Sequence, residues 1–218
     1  MLKLIIGNMA YSSWSMRGWL ACKHSGLPFE AQVVPMFTPE WEAMRATPAM
    51  SASRGMVPIL WDGELCIWDS LAIIGHLTEK GDYSLFWPQE AAARALCRSM
   101  CAEMHSSFQA LRAACPTNYR QTYPAAPVAD DVAADVARIS SLWTEARTKF
   151  GADGDFLFGQ FGAGDIMFAP VVARFITYAL PQTPVIATYL KAVRAHADVE
   201  MWYAEAAAEK WVIDKYER

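Results

Sequence analysis

The sequence lacks a cluster of basic residues, a long apolar run and a Cys-x-x-Cys pair. Its 218 residues include 19 basic and 23 acidic side chains, for a formal net charge of −4. Nucleic-acid binding proteins draw most of their affinity from clustered cations that meet phosphates, so that class is excluded. The apolar stretch from Leu4 to Gly7 is far shorter than a signal-peptide core or the roughly 20 residues of a membrane span. We therefore expect a cytoplasmic protein with no nucleic-acid or membrane partner.

The cysteine content argues against a disulfide framework and against a metal site. Five cysteines are an odd number, and without an export signal they are expected as free thiols in a reducing compartment. Cys97, Cys101 and His105 recur every four residues on one predicted helix. The first and last of them would lie about 12 Å apart along the axis, too far for one tetrahedral zinc ion. We expect no metal, and buried core thiols instead.

The first eighty residues read as alternating strands and helices, and the content of 54% hydrophobic residues predicts a folded core. A strand–helix–strand unit implies parallel strands with a right-handed crossover. A hairpin signal at Trp61-Asp62-Gly63 adds antiparallel ones. The predicted strands are Lys3–Ile6, Phe29–Val34, Met56–Leu60 and Glu64–Trp68, and the helices begin near Trp14, at Pro39 behind a Thr38 cap, and after Asp69-Ser70.

Beyond Gly81 every apolar period is helical. We therefore predict an α/β domain over residues 1–80, a linker over 81–88 and an all-helical domain over 89–218. Leu96, Met100, Met104, Phe108 and Leu111 share one helical face. Four further helices are predicted at about residues 132–150, 165–180, 185–196 and 199–209.

The segment Tyr11-Ser12-Ser13-Trp14-Ser15, between the first strand and the first helix, is the first candidate site. Serine is a common N-cap residue, so an ordinary structural cap is the simpler interpretation. A helix N-terminus also attracts anions through its unpaired N–H groups and its dipole. A hydroxyl there can hold a thiolate and lower a thiol pKa from about 8.5 toward neutrality. Both interpretations stay open on this segment alone.

Two further motifs have a structural and a functional interpretation. Val57-Pro58 opens the third strand, where proline is tolerated because it donates no hydrogen bond. A cis peptide bond there would instead leave neighbouring backbone groups free to pair with an extended peptide ligand. Asp69-Ser70 is a good N-cap, and its side chains and N–H groups can also bind a ligand carboxylate.

The order and spacing of these motifs resemble the cytosolic glutathione transferase superfamily along essentially the whole chain. Ser12-Ser13-Trp14-Ser15-Met16-Arg17 is similar to the loop Ser-Ser-Cys-Ser-Trp-Arg of the serine-type zeta class, which includes maleylacetoacetate isomerase. The resemblance implies a thioredoxin-like first domain that binds glutathione, an all-α second domain that supplies the pocket for the second substrate, and a homodimer.

Site residues follow from the same resemblance. Ser12 would donate to the glutathione sulfur, with Ser13 beside it as the alternative. Val57 would exchange backbone hydrogen bonds with the cysteinyl unit, with Met56 alongside. Asp69 and Ser70 would hold the γ-glutamyl end. The implied substrate-pocket residues are Trp14, Met104, Phe108, Arg112 and Arg174.

The chain departs from the zeta pattern at three places. Trp14 replaces the zeta cysteine, which weakens the case for isomerase activity. The second-domain capping box is Gly162-Ala163-Gly164-Asp165, so the aspartate is kept and the hydroxyl cap is absent. Arg174-Phe175 lies three residues closer to Asp165 than the corresponding zeta pair.

The sequence therefore predicts an enzyme that activates the thiol of glutathione for attack on a small electrophile, either hydrophobic or an unsaturated acid. A glutathione-dependent isomerase is the second enzyme activity that this resemblance allows. A binding or scaffold protein without turnover is the rival, because a fold does not imply a function. A thiol-disulfide oxidoreductase would require Cys22 or Cys66 to be exposed and acidic.

Overall fold

The first strand, β1 (Leu2–Ile6), lies inside a four-stranded sheet because four of its five residues are apolar and buried. It pairs in parallel with β2 (Phe29–Val33) and antiparallel with β3 (Ile59–Asp62). β3 in turn pairs antiparallel with β4 (Leu65–Trp68), which gives the order β2-β1-β3-β4. This computed structural model, which describes residues 1–217, confirms the predicted mixed sheet.

The third strand begins and ends later than predicted. The Val57–Pro58 peptide is cis, and the ladder starts only at Ile59. Proline has no N–H to give to a ladder, so the expected start at Met56 was too early. Asp62 still belongs to the strand, and the turn that follows contains Gly63 at φ +60°, a conformation that glycine adopts at no steric cost.

Four helices accompany the sheet, one of which was not predicted. α1 packs against the sheet on one side and against the helical second half on the other. A Cβ at Gly18 would lie 2.7 Å from the Cβ of Pro58, so this glycine lets α1 approach the start of β3. The short helix α3 was missed. The four helices are α1 (Ser13–His24), α2 (Pro39–Arg45), α3 (Pro48–Ser51) and α4 (Ser70–Lys80).

The second half is mostly helical, as predicted, with an irregular segment over residues 116–129 and isolated β-bridges between residues 156 and 160. Its central helix, α9, is buried at every residue except Ile176 and packs against α1, so the two halves share one apolar core. The helices are α5 (Tyr83–Phe86), α6 (Ala91–Ser106), α7 (Gln109–Ala114), α8 (Asp130–Phe150), α9 (Ala163–Thr177), α10 (Pro184–Arg194) and α11 (Ala197–Ala208), and a 3₁₀ turn follows at Asp214–Tyr216.

The apolar face predicted from Leu96 to Leu111 is divided between two helices. α6 ends at Ser106, and Phe108 adopts φ +65° before α7 begins. Arg112 satisfies two carbonyl groups left free by this break: its Nε donates to Ser107 O at 3.0 Å, and its Nη2 donates to Met104 O. The helical period survives the break, so periodicity alone did not reveal it.

The segment over residues 81–88 is packed rather than loose. It forms α5, and Phe86 and Trp87 are buried against both halves. The indole Nε1 of Trp87 donates to Thr78 Oγ1 at 3.2 Å, which fixes the segment to the end of α4. The domain boundaries given above stay a prediction.

The described residues contain no group of three side chains arranged to hold a metal ion. The five cysteines are free thiols, and four of them are buried. Within residues 1–217, every helix is too short or too polar to cross a membrane.

Candidate active site

The N-cap of α1 is Ser12, whose hydroxyl is held by the first turn of its own helix. Its Oγ accepts from Ser15 N at 3.2 Å and donates to Ser15 Oγ at 2.8 Å. Ser15 Oγ in turn accepts from Gly7 N at 2.9 Å, which ties the turn to the end of β1. Ser12 and the neighbouring Ser13 are both almost buried. Ser12 therefore forms the ordinary cap that the simpler interpretation expected.

The Ser12–Ser15 pair also leaves one hydroxyl hydrogen available to a ligand. Hydroxyl hydrogens rotate, and the direction of a hydroxyl–hydroxyl bond reverses without moving either oxygen. With Ser15 donating to Ser12, the Ser12 hydrogen is released to an anion at the helix N-terminus. The cap geometry and a thiolate-binding role are thus compatible at the same side chain.

The N-cap of α4 is Asp69, in an unusual backbone conformation. Its φ is +76°, in the left-handed half of the map. One carboxylate oxygen accepts from Leu71 N at 2.9 Å, and the other lies 3.1 Å from Nε2 of His105. Such a conformation costs about 1–3 kcal/mol and persists only where its surroundings enforce it. Ser70, which follows, is buried with its hydroxyl toward the sulfur of Met167.

A cleft of about 310 Å³ opens beside these two helix N-termini. It reaches Trp14 in the first turn of α1, but the predicted Ser12 and Ser13 are buried next to it and do not line it. Five predicted site residues border the cleft, together with Pro58 of the Val57-Pro58 motif. Ser53, Trp68 and His105, which the sequence did not place at this site, also line it. The cleft is open at Met56, whose side chain is 66% exposed. The five predicted residues are Trp14, Met56, Val57, Asp69 and Ser70.

His105 is the functional candidate that sequence reasoning missed. In the sequence it was a candidate only for a zinc site on α6. In the structure its imidazole contacts the ring of Trp14 edge-on, with the ring centroids 5.3 Å apart, and pairs with Asp69. Its Nδ1 is buried and has no hydrogen-bond partner within residues 1–217. The 36-residue separation between Asp69 and His105 carries no sequence signal, because only the folding of α6 across α4 brings them together.

The indole of Trp14 contacts two guanidinium groups. The Cζ atoms of Arg17 and Arg112 lie 4.5 and 4.8 Å from its ring centroid. Arg17 is fully buried, and its Nε donates to Met167 O at 2.8 Å, while both Nη atoms lack a partner among the described residues. Burial lowers its pKa well below the usual range, with Arg112 adding to the effect. Burial likewise lowers the pKa of Arg112 to about 10.

Four predicted pocket residues do not border this cleft. Met104 and Phe108 are buried in the core, and Arg112 lies behind Trp14, where it caps α6. Arg174 was predicted as a substrate anchor, but its guanidinium is buried in the helical half. Its Nε donates to Cys115 O at 2.8 Å and its Nη1 to Pro170 O at 3.1 Å. Backbone carbonyl groups thus accept from two of its five N–H donors, and the group is buried away from the cleft.

Neither cysteine that could support disulfide chemistry is acidic. Burial raises the pKa of Cys22 to about 12, and it also raises the pKa of Cys66. A reactive thiol needs the opposite shift, because the thiolate is the nucleophile. Neither thiol therefore meets the requirement for a thiol-disulfide oxidoreductase, which is an exposed and acidic cysteine.

Sequence comparison identifies relatives of part of the chain. Residues 11–80 match the family model of the glutathione S-transferase N-terminal domain. Glutathione S-transferase 1 from Dianthus caryophyllus is 33% identical over 122 residues, or 54% of this chain and 52% of that relative. The chain thus aligns with about half the length of this curated relative.

Solved structures align along nearly the whole chain. A glutathione transferase homolog from Burkholderia gl BGR1, with bound glutathione, superposes with a TM-score of 0.70 at 20% identity, covering 96% of this chain and 99% of that one. The theta class enzyme from Xanthomonas axonopodis pv. citri, with glutathione bound, gives 0.66 at 22% identity, covering 97% and 99%. At these identities the likeness shows the fold alone.

Proposed function

We propose that this chain, whose family match, curated relative and fold support the glutathione transferase superfamily, is a serine-type glutathione transferase. The observation that carries the proposal is the cleft beside two helix N-termini, which Trp14 borders in the turn that Ser12 caps and Asp69 borders at the second helix. Both ends attract negative charge, and the thiolate and the carboxylates of glutathione are negative.

Glutathione lies extended across the cleft in this proposal. Its γ-glutamyl ammonium pairs with Asp69, and the adjoining carboxylate meets the α4 N-terminus at Ser70. The cysteinyl unit exchanges backbone hydrogen bonds with Val57, which precedes the ladder and so keeps its backbone out of the sheet. Exposed Met56 borders the same edge of the cleft.

Ser12 donates its hydroxyl hydrogen to the sulfur, and the thiol proton leaves to water. Ser13, the next residue, is the alternative donor. The α1 N-terminus and the buried charge of Arg17 both favour the thiolate. Lowering the thiol pKa by about two units corresponds to about 2.7 kcal/mol of differential stabilisation.

The thiolate then attacks an electrophilic carbon in the cleft. The sulfur–carbon bond forms as the leaving group departs with its electron pair, or as a neighbouring carbon takes up a proton in an addition. Trp14, Met56 and Trp68 give the cleft apolar walls, which favours a hydrophobic electrophile. Isomerisation of an unsaturated acid would need the sulfur to leave again. We also propose a cytoplasmic homodimer, and the exposed apolar side chains at the cleft edge support a protein contact there.

Thiolate absorbance of bound glutathione tests the proposal. The wild-type protein is expected to show it at neutral pH, and Ser12→Ala is expected to lose most of it while still binding glutathione. Binding without a thiolate in the wild type would reject the catalytic role. Absence of binding would favour a scaffold protein. A panel of electrophiles, including unsaturated acids, then separates transferase from isomerase activity.

A further inference from the structure

The loop that leads into Ser12 is held by the other end of the chain. The backbone N–H groups of Met9 and Ala10 both donate to the carboxylate of Glu209, at 2.9 and 3.0 Å. Glu209 follows α11 directly, about 200 residues further along the chain. One carboxylate therefore binds two successive amides just before the N-cap of α1.

The same loop is fixed from its opposite side. Ala10 O accepts from Tyr119 N at 3.0 Å, and Asn8 O accepts from Ser12 N at 2.9 Å. Three hydrogen bonds to the helical half, two to the Glu209 carboxylate and one from Tyr119 N, thus hold the backbone of Met9 and Ala10, just before the hydroxyl proposed to hold the thiolate. Any shift of this turn moves Ser12, because Asn8 and Ser12 close it.

Glu209 is itself held in place by a partly buried arginine. Arg120 donates from its Nε to Ala206 O at 2.8 Å and from its Nη1 to Trp211 O at 3.1 Å, and it also bonds the carbonyl of Glu209. Its Nη2 lies 3.8 Å from the Glu209 carboxylate, whose side chain is only 4% exposed. A carboxylate this buried forms strong, charge-assisted hydrogen bonds.

We propose that Glu209 is a positioning residue for thiol activation, which rests on the proposed function. It acts through the backbone of Met9 and Ala10 and touches neither glutathione nor the electrophile. The C-terminal segment after α11 thereby determines the position of Ser12 at the N-terminus of α1.

Charge and geometry predict opposite effects of replacing Glu209. A carboxylate near the N-terminus of α1 opposes a second anion there, so its removal by charge alone would lower the thiol pKa of bound glutathione. Loss of the positioning contacts would raise that pKa, because Ser12 would meet the sulfur less well. Glu209→Gln removes the charge. The glutamine side chain has one acceptor oxygen in place of two, so it keeps the hydrogen bond to only one of the Met9 and Ala10 N–H groups.

The experiment compares Glu209→Gln with Glu205→Gln, the same change at an exposed site one turn earlier on α11. The first readout is thiolate absorbance of bound glutathione as a function of pH. The second is the affinity for S-methylglutathione, which has no thiol to ionise. The third is hydrogen exchange of the Met9 and Ala10 amides.

We expect Glu209→Gln to raise the pKa of the bound thiol, to lower kcat/KM about tenfold, and to expose both amides to exchange. Its affinity for S-methylglutathione should stay within about twofold, and Glu205→Gln should match the wild type. A lowered thiol pKa, or unchanged amide exchange, would overturn the proposal. So would a lower melting temperature with an unchanged thiol pKa, since that identifies a purely structural residue.

Failure of the proposed function would look different. A wild type that forms no thiolate rejects that function, whereas amide exchange still reports on the clamp. If Glu209→Gln does not fold, Arg120→Lys replaces it. Lysine lacks the forked donors that hold the C-terminal segment, but it keeps a cation near Tyr11 of the loop, whose ring centroid lies 5.6 Å from the Arg120 Cζ. The same rise in thiol pKa, smaller in size, is expected there, and no rise would overturn the proposal.

Discussion

The helix N-termini of α1 and α4 face the same cleft but are built differently. At α1, Ser12 has an ordinary extended backbone, with φ at −94°, and its hydroxyl is engaged with Ser15 inside the protein. At α4, Asp69 has φ at +76°, and its carboxylate is about two-fifths exposed, paired with His105 from the other half. The N-terminus of α1 thus has an unstrained backbone and a capping hydroxyl inside the protein. The N-terminus of α4 has a strained backbone and a capping carboxylate that is partly exposed.

The difference indicates that the N-termini of α1 and α4 have separate functions. A hydroxyl that tunes a thiol must stay at a fixed distance from the sulfur, so it gains from a relaxed, packed turn. A carboxylate that recognises a charged ligand must be reachable, and its strained backbone is the kind of feature that accumulates at ligand sites. Changes at α1 should therefore affect turnover, and changes at α4 should affect binding.

Replacing Ser12 by alanine should produce the largest effect. The variant loses the hydrogen bond to the sulfur, and kcat/KM should fall about 100-fold or more, as when one donor to a reacting anion is removed. The affinity for S-methylglutathione should change little. Steady-state kinetics with a single electrophile, together with calorimetric titration, measure the two quantities.

Ser13→Ala is the matched control for that substitution, since it removes a neighbouring hydroxyl of the same helix end. We expect it to keep kcat/KM within about threefold of the wild type. The reverse pattern, with Ser13→Ala inactive and Ser12→Ala active, would transfer the thiol-binding role to Ser13. Equal loss of S-methylglutathione binding in Ser12→Ala would contradict the assignment of α1 to turnover.

A third helix N-terminus, that of α9, is capped by a carboxylate that lies inside the protein. Asp165 is buried there and accepts from Leu157 N and Gly162 N at 3.1 and 3.0 Å. Burial raises its pKa to about 6, against the lowering effect of these donors. The folded chain thus keeps this proton up to about pH 6, while the unfolded chain releases it near pH 4.

Between about pH 4 and pH 6 the folded state binds more protons, so Asp165 makes the free energy of unfolding fall as pH rises, by up to about 3 kcal/mol. Asp165→Asn should remove that slope. Urea denaturation at several pH values measures it, and Asp130→Asn, at the exposed start of α8, should leave it in place. An unchanged slope in Asp165→Asn would assign the titration to another group.

The parts of the site that sequence reasoning identified are those with local causes. A serine before an apolar helical period predicts the cap at Ser12, and a proline at a strand start predicts the edge at Pro58. His105 and Glu209 had no such signal, because their partners lie 36 and about 200 residues away. The break at Phe108 was not predicted for a related reason. Arg112, on the next helix, satisfies the carbonyl groups that the break leaves free, so the apolar period continues across it.

Replacing Asp69 by asparagine tests the binding role of α4. Asparagine tolerates a positive φ and can still accept from Leu71 N, so the fold should be kept. The charge that pairs with the ammonium of glutathione is lost, and KM for glutathione should rise about tenfold with kcat nearly unchanged. Asp82→Asn, the same change at the exposed N-cap of α5, should leave KM as it is. A fall in kcat at constant KM would erase the contrast between the two helix ends.

The smallest expected effect is the coupling between Asp69 and His105. Both side chains are about one-third exposed or more, so solvent screens the pair, and we expect a coupling free energy of about 0.5 kcal/mol without ligand. A double-mutant cycle with Asp69→Asn and His105→Gln, followed by urea denaturation, measures it. With saturating glutathione the coupling should approach zero, because the ammonium group takes the carboxylate oxygen that faces His105. A coupling that glutathione does not change would mean that Asp69 keeps His105 as its partner and leaves the ammonium to another residue.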